Sequence, residues 1–174
     1  MRALRTSILS FAFAMCGLAA CGDKTVTTST TLATSTGQNV GTITFSQKGT
    51  GAVDVVLTVS GVPAGKHGAH VHDVGKCDPP DFMTAGGHFN PSGAMHGDPA
   101  GATHHTGDLG NIDVAADGTG TLSASSTLMS LQADNAGYVV GHAFILHAGT
   151  DDLVGQPTGN SGARLACGVI PAAQ

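Results

Sequence analysis

His67-Gly68-Ala69-His70-Val71-His72 opens the most informative stretch of this chain, which runs on to Asp108. Side chains on a strand alternate between its faces, so His70 and His72 share one face and Val71 takes the other. His67 has the opposite parity and is expected to be structural, bonding a loop backbone. After Asp73 the strand pattern stops. From Val74 to Gly107 the chain is loop-like, with Gly, Pro, Asp and His throughout. A loop that long inside a compact domain needs something to pin it. Its histidines sit in Ala85-Gly86-Gly87-His88, Met95-His96-Gly97 and His104-His105-Thr106-Gly107-Asp108. Seven of the 9 histidines fall between His67 and Asp108, and His147 lies far downstream.

On both sides of this stretch the pattern is one of short strands and turns. Thr-rich Thr28–Thr36 reads as either tether or edge strand. Val40–Gln47, Ala52–Ser60 and Gly68–Asp73 follow, separated by Gly49-Thr50-Gly51 and Val62-Pro63-Ala64-Gly65. Asn111–Ala116 and Gly120–Ser126 flank Ala116-Asp117-Gly118, a hairpin signal. Tyr138–His147 reads as a strongly apolar strand, 150–163 is a second long polar loop, and Arg164–Ile170 reads as the last strand. No helical period is convincing. The expected fold is all-β, an antiparallel barrel or sandwich with two long loops.

Two imidazoles converging from one strand face suit copper or zinc. His88, His96 and Asp108, with His104 or His105, offer three imidazoles and a carboxylate, a set that fits a closed tetrahedral zinc site. Metal bonds of that kind replace the core a long loop lacks. Spacing alone leaves His104 and His105 as alternatives. His142, five residues before His147, has the opposite parity and is expected to be structural.

The 174 residues suffice for one domain with its own core. The formal charge of −5 argues against a nucleic-acid partner. Residues 1–20 read as an export signal: Arg2 and Arg5, then an apolar Ile8–Leu18, then Leu18-Ala19-Ala20-Cys21, which resembles a bacterial lipoprotein cleavage site. Cys21 would become the lipidated N-terminus, 21–27 a tether, and 28–174 the folded domain. The expected location is the periplasm or cell envelope, anchored to the outer membrane, since Gly22 rather than Asp follows the cysteine. Processing would leave five basic residues, Lys24, Lys48, Lys66, Lys76 and Arg164, against 12 acidic ones. It would also leave Cys77 and Cys167, and two cysteines in an oxidising compartment suggest one disulfide.

His67-Gly-Ala-His70-Val-His72, Gly86-Gly87-His88-Phe-Asn-Pro, His105-Thr-Gly-Asp108-Leu-Gly-Asn and Gly162-Ala-Arg164-Leu-Ala-Cys167-Gly-Val-Ile together resemble copper/zinc superoxide dismutase. The resemblance implies an eight-stranded antiparallel Greek-key barrel, with Thr28–Thr36 as its first strand. It implies one copper per chain on His70, His72, His88 and His147, and one zinc on His88, His96, His105 and Asp108. His88 would bridge the two metals, and His105 rather than His104 would be the ligand. Asp151 would link a copper ligand to a zinc ligand and fix both rings. Arg164 would attract the anion beside copper and, with His88, take part in catalysis. Cys77 and Cys167 match the family's disulfide. The implied reaction converts two superoxide anions to oxygen and hydrogen peroxide. Bacterial members vary in assembly, so monomer and homodimer are both expected states.

The chain departs from the family in places. Ala69 stands where Phe is usual, Asp78-Pro-Pro-Asp-Phe-Met lengthens the segment before His88, and the loop after His147 is short, with no Lys or Glu. Two other functions compete. A non-catalytic periplasmic copper/zinc-binding lipoprotein would use Met83 and Met95 for copper(I), yet it has no need of Arg164 or a bridging histidine. A cupin-like metalloenzyme using His70 and His72 usually adds a Glu ligand, and this chain has no Glu.

Overall fold

The structure is a computed structural model that describes residues 24–173, so the expected signal segment and Cys21 lie outside the described residues. Eight strands form it: β1 (Thr25–Thr34), β2 (Asn39–Lys48), β3 (Val53–Val59), β4 (Gly65–His72), β5 (Asp108–Val114), β6 (Gly120–Ser126), β7 (Ala143–His147) and β8 (Arg164–Val169). Among the described residues the only helical element is a short 3-10 turn, Met83–Ala85. The strands close into a barrel in the order β1-β2-β3-β6-β5-β4-β7-β8. All neighbours are antiparallel, and β1 closes the barrel against β8 through Ala33 and Thr34. The β3–β4 and β6–β7 connections join strands that are not neighbours, which is the Greek-key crossing of an antiparallel barrel.

Alternation explains the plainer strands. In β3, Val53, Val55, Leu57 and Val59 point inward while the residues between them are exposed. Between β5 and β6, the Ala115 N–H donates to Thr119 O and the Gly118 N–H to Ala115 O, with Gly118 at φ 81°. Glycine adopts that left-handed turn geometry without steric cost.

Strands β4 and β7 are different because they are buried on both faces. Ala69 opposes Leu146, which opposes Ala166, and this row belongs to the barrel interior with Val71 and Phe144. The alternate row, His70, Ile145 and Cys167, faces outward. The long loop lies over that outer face. Its Phe82 and Ala85 build a small second core with Ala143, Ile145 and Cys167, and Cys77 packs against it. A disulfide between Cys77 and Cys167, with Cα atoms 5.7 Å apart, ties this cover to β8.

Some boundaries differ from the sequence reading. β1 begins at Thr25, so the last residues of the expected 21–27 tether lie in the barrel, and it ends at Thr34 rather than Thr36. Buried Thr28 and Leu32, with β2 pairing along its length, hold it as strand. β7 begins at Ala143, not Tyr138. Residues 138–142 form a turn in which the His142 N–H donates to Val139 O, and Gly141 takes φ 86°.

Candidate metal centre

Three elements deliver the histidines to one place outside the barrel wall. His70 and His72 come from the outer face of β4, and His147 ends β7, where the pairing with β8 shifts register. Such a shift re-aims a side chain. His88 arrives from the long loop, which the edge of β4 holds by backbone bonds. Phe89 N–H donates to Val71 O at 2.8 Å, and Val71 N–H donates to Gly107 O at 2.9 Å. Gly107 permits this close approach, because a Cβ there would collide with the Val71 carbonyl oxygen. Asp108, the first residue of β5, follows at once.

Two groups result: His70, His72, His88 and His147, and His88, His96, His105 and Asp108. Within each group the potential ligand atoms lie within 4.8 Å of one another, every residue is buried, and His88 belongs to both. His67 points away, as its parity predicts; its nitrogens lie 2.9 Å from His147 O and 2.8 Å from Pro63 O. His104 stands outside the groups, bonding the His105 carbonyl. His142 also stands outside them, packed against Phe89 with ring centroids 4.1 Å apart and the planes tilted by 40°.

The hydrogen bonds decide which nitrogen of each ring is free. Asp151 is buried, and its two oxygens accept from His70 Nε2 at 2.8 Å and His96 Nε2 at 2.9 Å. Both protons are thereby placed on Nε2, and both Nδ1 atoms keep a lone pair. His72 Nδ1 donates to Gly86 O at 2.9 Å and His147 Nδ1 to Gly162 O at 3.2 Å, which frees their Nε2 atoms. Those two Nε2 atoms lie 3.3 Å apart. Among the described residues, three buried nitrogens have no hydrogen-bond partner: His70 Nδ1, His88 Nε2 and His96 Nδ1. Buried polar atoms rarely go unpaired. Here each belongs to a group of converging donors, which is the arrangement a metal ion satisfies. Four imidazoles suit copper, and three imidazoles with a carboxylate suit zinc.

Electrostatics agree with this. Burial lowers the His70 pKa well below the ordinary imidazole value, helped by His88 and His147. Burial likewise takes His72 down to about 2 and His147 to about 4, with bonds to Gly86 and Gly162 opposing. His105 is lowered by burial, against the pull of Asp108. Burial works to raise Asp108, but hydrogen bonds from His88 and the His105 N–H outweigh it and hold the carboxyl well below its usual range. At neutral pH the second group therefore presents an ionised carboxylate, and the four lowered histidines present neutral imidazoles, forms ready to bind a cation without expelling protons.

Arg164 opposes His147 across the β7–β8 pair. Its two terminal nitrogens donate to Phe82 O and Gly86 O. Gly86 O also receives His72 Nδ1, so one carbonyl separates the guanidinium from the first histidine group. Arg164 lines a surface depression with Pro80, Asp81, Met83, Gly162 and Ala163.

Asn111 and Gln156 escaped the sequence reading as positioning groups. Asn111 Nδ2 donates to Asp151 O and its Oδ1 accepts from the Asp151 N–H, which seats the carboxylate. Its place in β5, three residues after Asp108, was the available signal. Gln156 bonds the backbone of His96 and carries no comparable motif.

Comparison with known proteins gives a consistent result. Over 136 residues the chain is 44% identical to superoxide dismutase [Cu-Zn] 2 of Brassica juncea, covering 75% of this chain and 88% of that protein. Among solved structures, a double mutant of a SOD-like protein from Bacillus subtilis superposes with a TM-score of 0.75 at 36% identity, covering 82% of this chain and 96% of the other. Another structure of a SOD-like protein from that organism gives 0.74 at 35% identity, covering 80% and 95%. The family model for copper/zinc superoxide dismutase matches residues 39–170. That span takes in every strand but the first, the disulfide and both histidine groups, and by it the chain belongs to the copper/zinc superoxide dismutase family, whose members bind copper and zinc.

Proposed function

We propose that this chain dismutates superoxide, converting two superoxide anions and two protons to oxygen and hydrogen peroxide. The observation that supports this most is the shared position of His88. Its Nδ1 lies 2.9 Å from Asp108 Oδ1, while its Nε2 is buried without a partner on the side of His70, His72 and His147. A metal store needs two sites but no imidazole common to both.

In this reading His70, His72, His88 and His147 hold copper, and His88, His96, His105 and Asp108 hold zinc. Copper, when bound, supplies the one-electron redox chemistry, and zinc supplies a fixed, redox-silent charge. His88 Nε2 is the atom at which a proton can be held and released, while Nδ1 stays with the zinc group. Asp151 keeps the rings of His70 and His96 oriented. Arg164 has five N–H donors and lines a surface depression, so those left beyond its two carbonyl bonds are available to an arriving anion. The decisive measurement is metal content and superoxide decay on one purified sample. One copper and one zinc per chain, with accelerated decay, is the expected result. Both metals bound without acceleration would favour the non-catalytic lipoprotein instead.

The sequence further supports placing the protein in the cell envelope, anchored by lipid on Cys21. Mass spectrometry of membrane-derived protein should find a diacylated Cys21, and Cys21→Ser should abolish partitioning into detergent. An unmodified wild-type N-terminus would rule the anchor out.

A further inference from the structure

His96 differs from the other histidines of the two groups in how its backbone is held. His70, His72 and His147 lie in strands, and the loop around His88 is bonded to β4. His105 sits three residues before β5, its N–H on Asp108 Oδ2 at 2.8 Å. Among the described residues, the segment 94–97 makes no backbone–backbone hydrogen bond and is held by side chains instead. Asn90 takes both polar groups of Ala94, and the Gly97 N–H reaches Asp108 Oδ2 at 3.3 Å. Gln156 takes both of His96: its Oε1 accepts from the His96 N–H at 2.9 Å, and its Nε2 donates to His96 O at 2.9 Å.

The loop carrying Gln156 is stiffened by its own bonds. Asp152 Oδ1 accepts from the N–H groups of Val154 and Gly155, and Asp152 Oδ2 accepts from Asn160 Nδ2. Asp152 N–H donates to Gly159 O, and Gly159 N–H donates to Gly155 O. Gly159, at φ 64°, lies so close to Asp151 and His96 that a Cβ would collide with both side chains. One short closed loop therefore grips His96 at three points: the ring through Asp151, and the N–H and C=O through Gln156. Only the ring's Nδ1, 3.1 Å from Asp108 Oδ2, is left facing the second group.

We propose that Gln156 is a positioning residue for zinc: by clamping the His96 backbone, it aims His96 Nδ1 at the ion and makes the loop 150–163 part of the zinc site. This rests on His96 being a zinc ligand. Groups that orient a ligand affect metal affinity by about 10–100-fold. Because Gln156 is exposed and acts through backbone, the low end of that range applies.

The test measures zinc release from the copper- and zinc-loaded protein into a chelator, with cobalt(II) substituted for zinc as a spectroscopic probe. Gln156→Ala should speed zinc release about tenfold and shift the cobalt visible bands, with copper release changed less than twofold. Gln156→Glu keeps an acceptor for the His96 N–H and loses the donor to His96 O, so it should fall between wild type and Ala. Val154→Ala, at an exposed position of the same loop, should match wild type. Zinc release within twofold of wild type for Gln156→Ala and Gln156→Glu, or copper and zinc release rising together, would overturn the proposal. If His96→Ala itself left zinc binding unchanged, the assignment of His96 as a ligand would be what fails.

Discussion

Replacing Arg164 by Ala should slow superoxide consumption at low substrate by about tenfold. The reasoning starts from charge. Superoxide is an anion, and the residues after Ala20 carry five basic against 12 acidic side chains, so the long-range field repels it. Lys66 is already paired with Asp113 at 2.9 Å. Asp81 lines the same depression as Arg164 and adds a further negative charge there. Arg164, held by Phe82 O and Gly86 O, is left to supply the local attraction together with the bound metals. A unit charge roughly 5 Å from an anion contributes about 1–3 kcal/mol between bulk water and an effective surface dielectric of about 20. That range brackets a tenfold change, since about 1.4 kcal/mol corresponds to tenfold. His72 keeps its bond to Gly86 O without Arg164, so copper content should hold. Arg164→Lys retains charge but cannot reproduce the two-carbonyl anchorage of a planar fork, and should fall between. The assay is superoxide decay against ionic strength. Wild-type rates should fall as salt rises, and Arg164→Ala should respond much less. Equal rates for both proteins at low ionic strength, with equal copper, would refute the argument.

His88→Ala should weaken both metals, whereas His96→Ala should mainly weaken zinc; metal analysis after dialysis against a chelator distinguishes the two. Replacing Cys77 and Cys167 by Ser opens a loop of sequence separation 90 and should cost about 4–5 kcal/mol in the chain-entropy picture, read by urea unfolding of metal-free protein. Metal-free protein should also lose stability in acid. The His147 pKa is lowered to about 4 in the fold, so the unfolded chain takes up the proton first as pH falls below about 6.5. That contribution is complete above about pH 6.5 and lost by about pH 4, about 3 kcal/mol, and His72, lowered to about 2, adds to the loss and extends it to lower pH. Urea midpoints at pH 7, 5.5 and 4.5 that did not fall would contradict it.

Much of this was legible in the chain because strand parity is a strict rule. His70 and His72 reach one face and His67 the other for the same reason that Val53, Val55, Leu57 and Val59 fill the barrel. The choice between His104 and His105 was not legible from spacing, since adjacent loop residues have no fixed parity; family resemblance made it. Tyr138–His147 reads as one strand from sequence because apolarity alone does not separate a strand from a buried turn. Val139 is fully buried in that turn, as a strand residue would be. Gln156 was invisible for a different reason. Its partner is a backbone, and backbone groups leave no signature in sequence.

The two-sided burial of β4 has a consequence for how such a chain can vary. Residues of one parity, Ala69 and Val71, fill the barrel, and residues of the other, His70 and His72, belong to the first histidine group. A single substitution in β4 affects one role at a time. A one-residue insertion or deletion within it would exchange the roles, turning imidazoles into the barrel and aliphatic groups toward the histidine groups. Length changes are therefore confined to places where the chain is not read in twos. The segment between Cys77 and His88 is one, because the disulfide and the Val71–Phe89 bond fix its ends and leave its contour free. That is where Asp78-Pro-Pro-Asp-Phe-Met is accommodated.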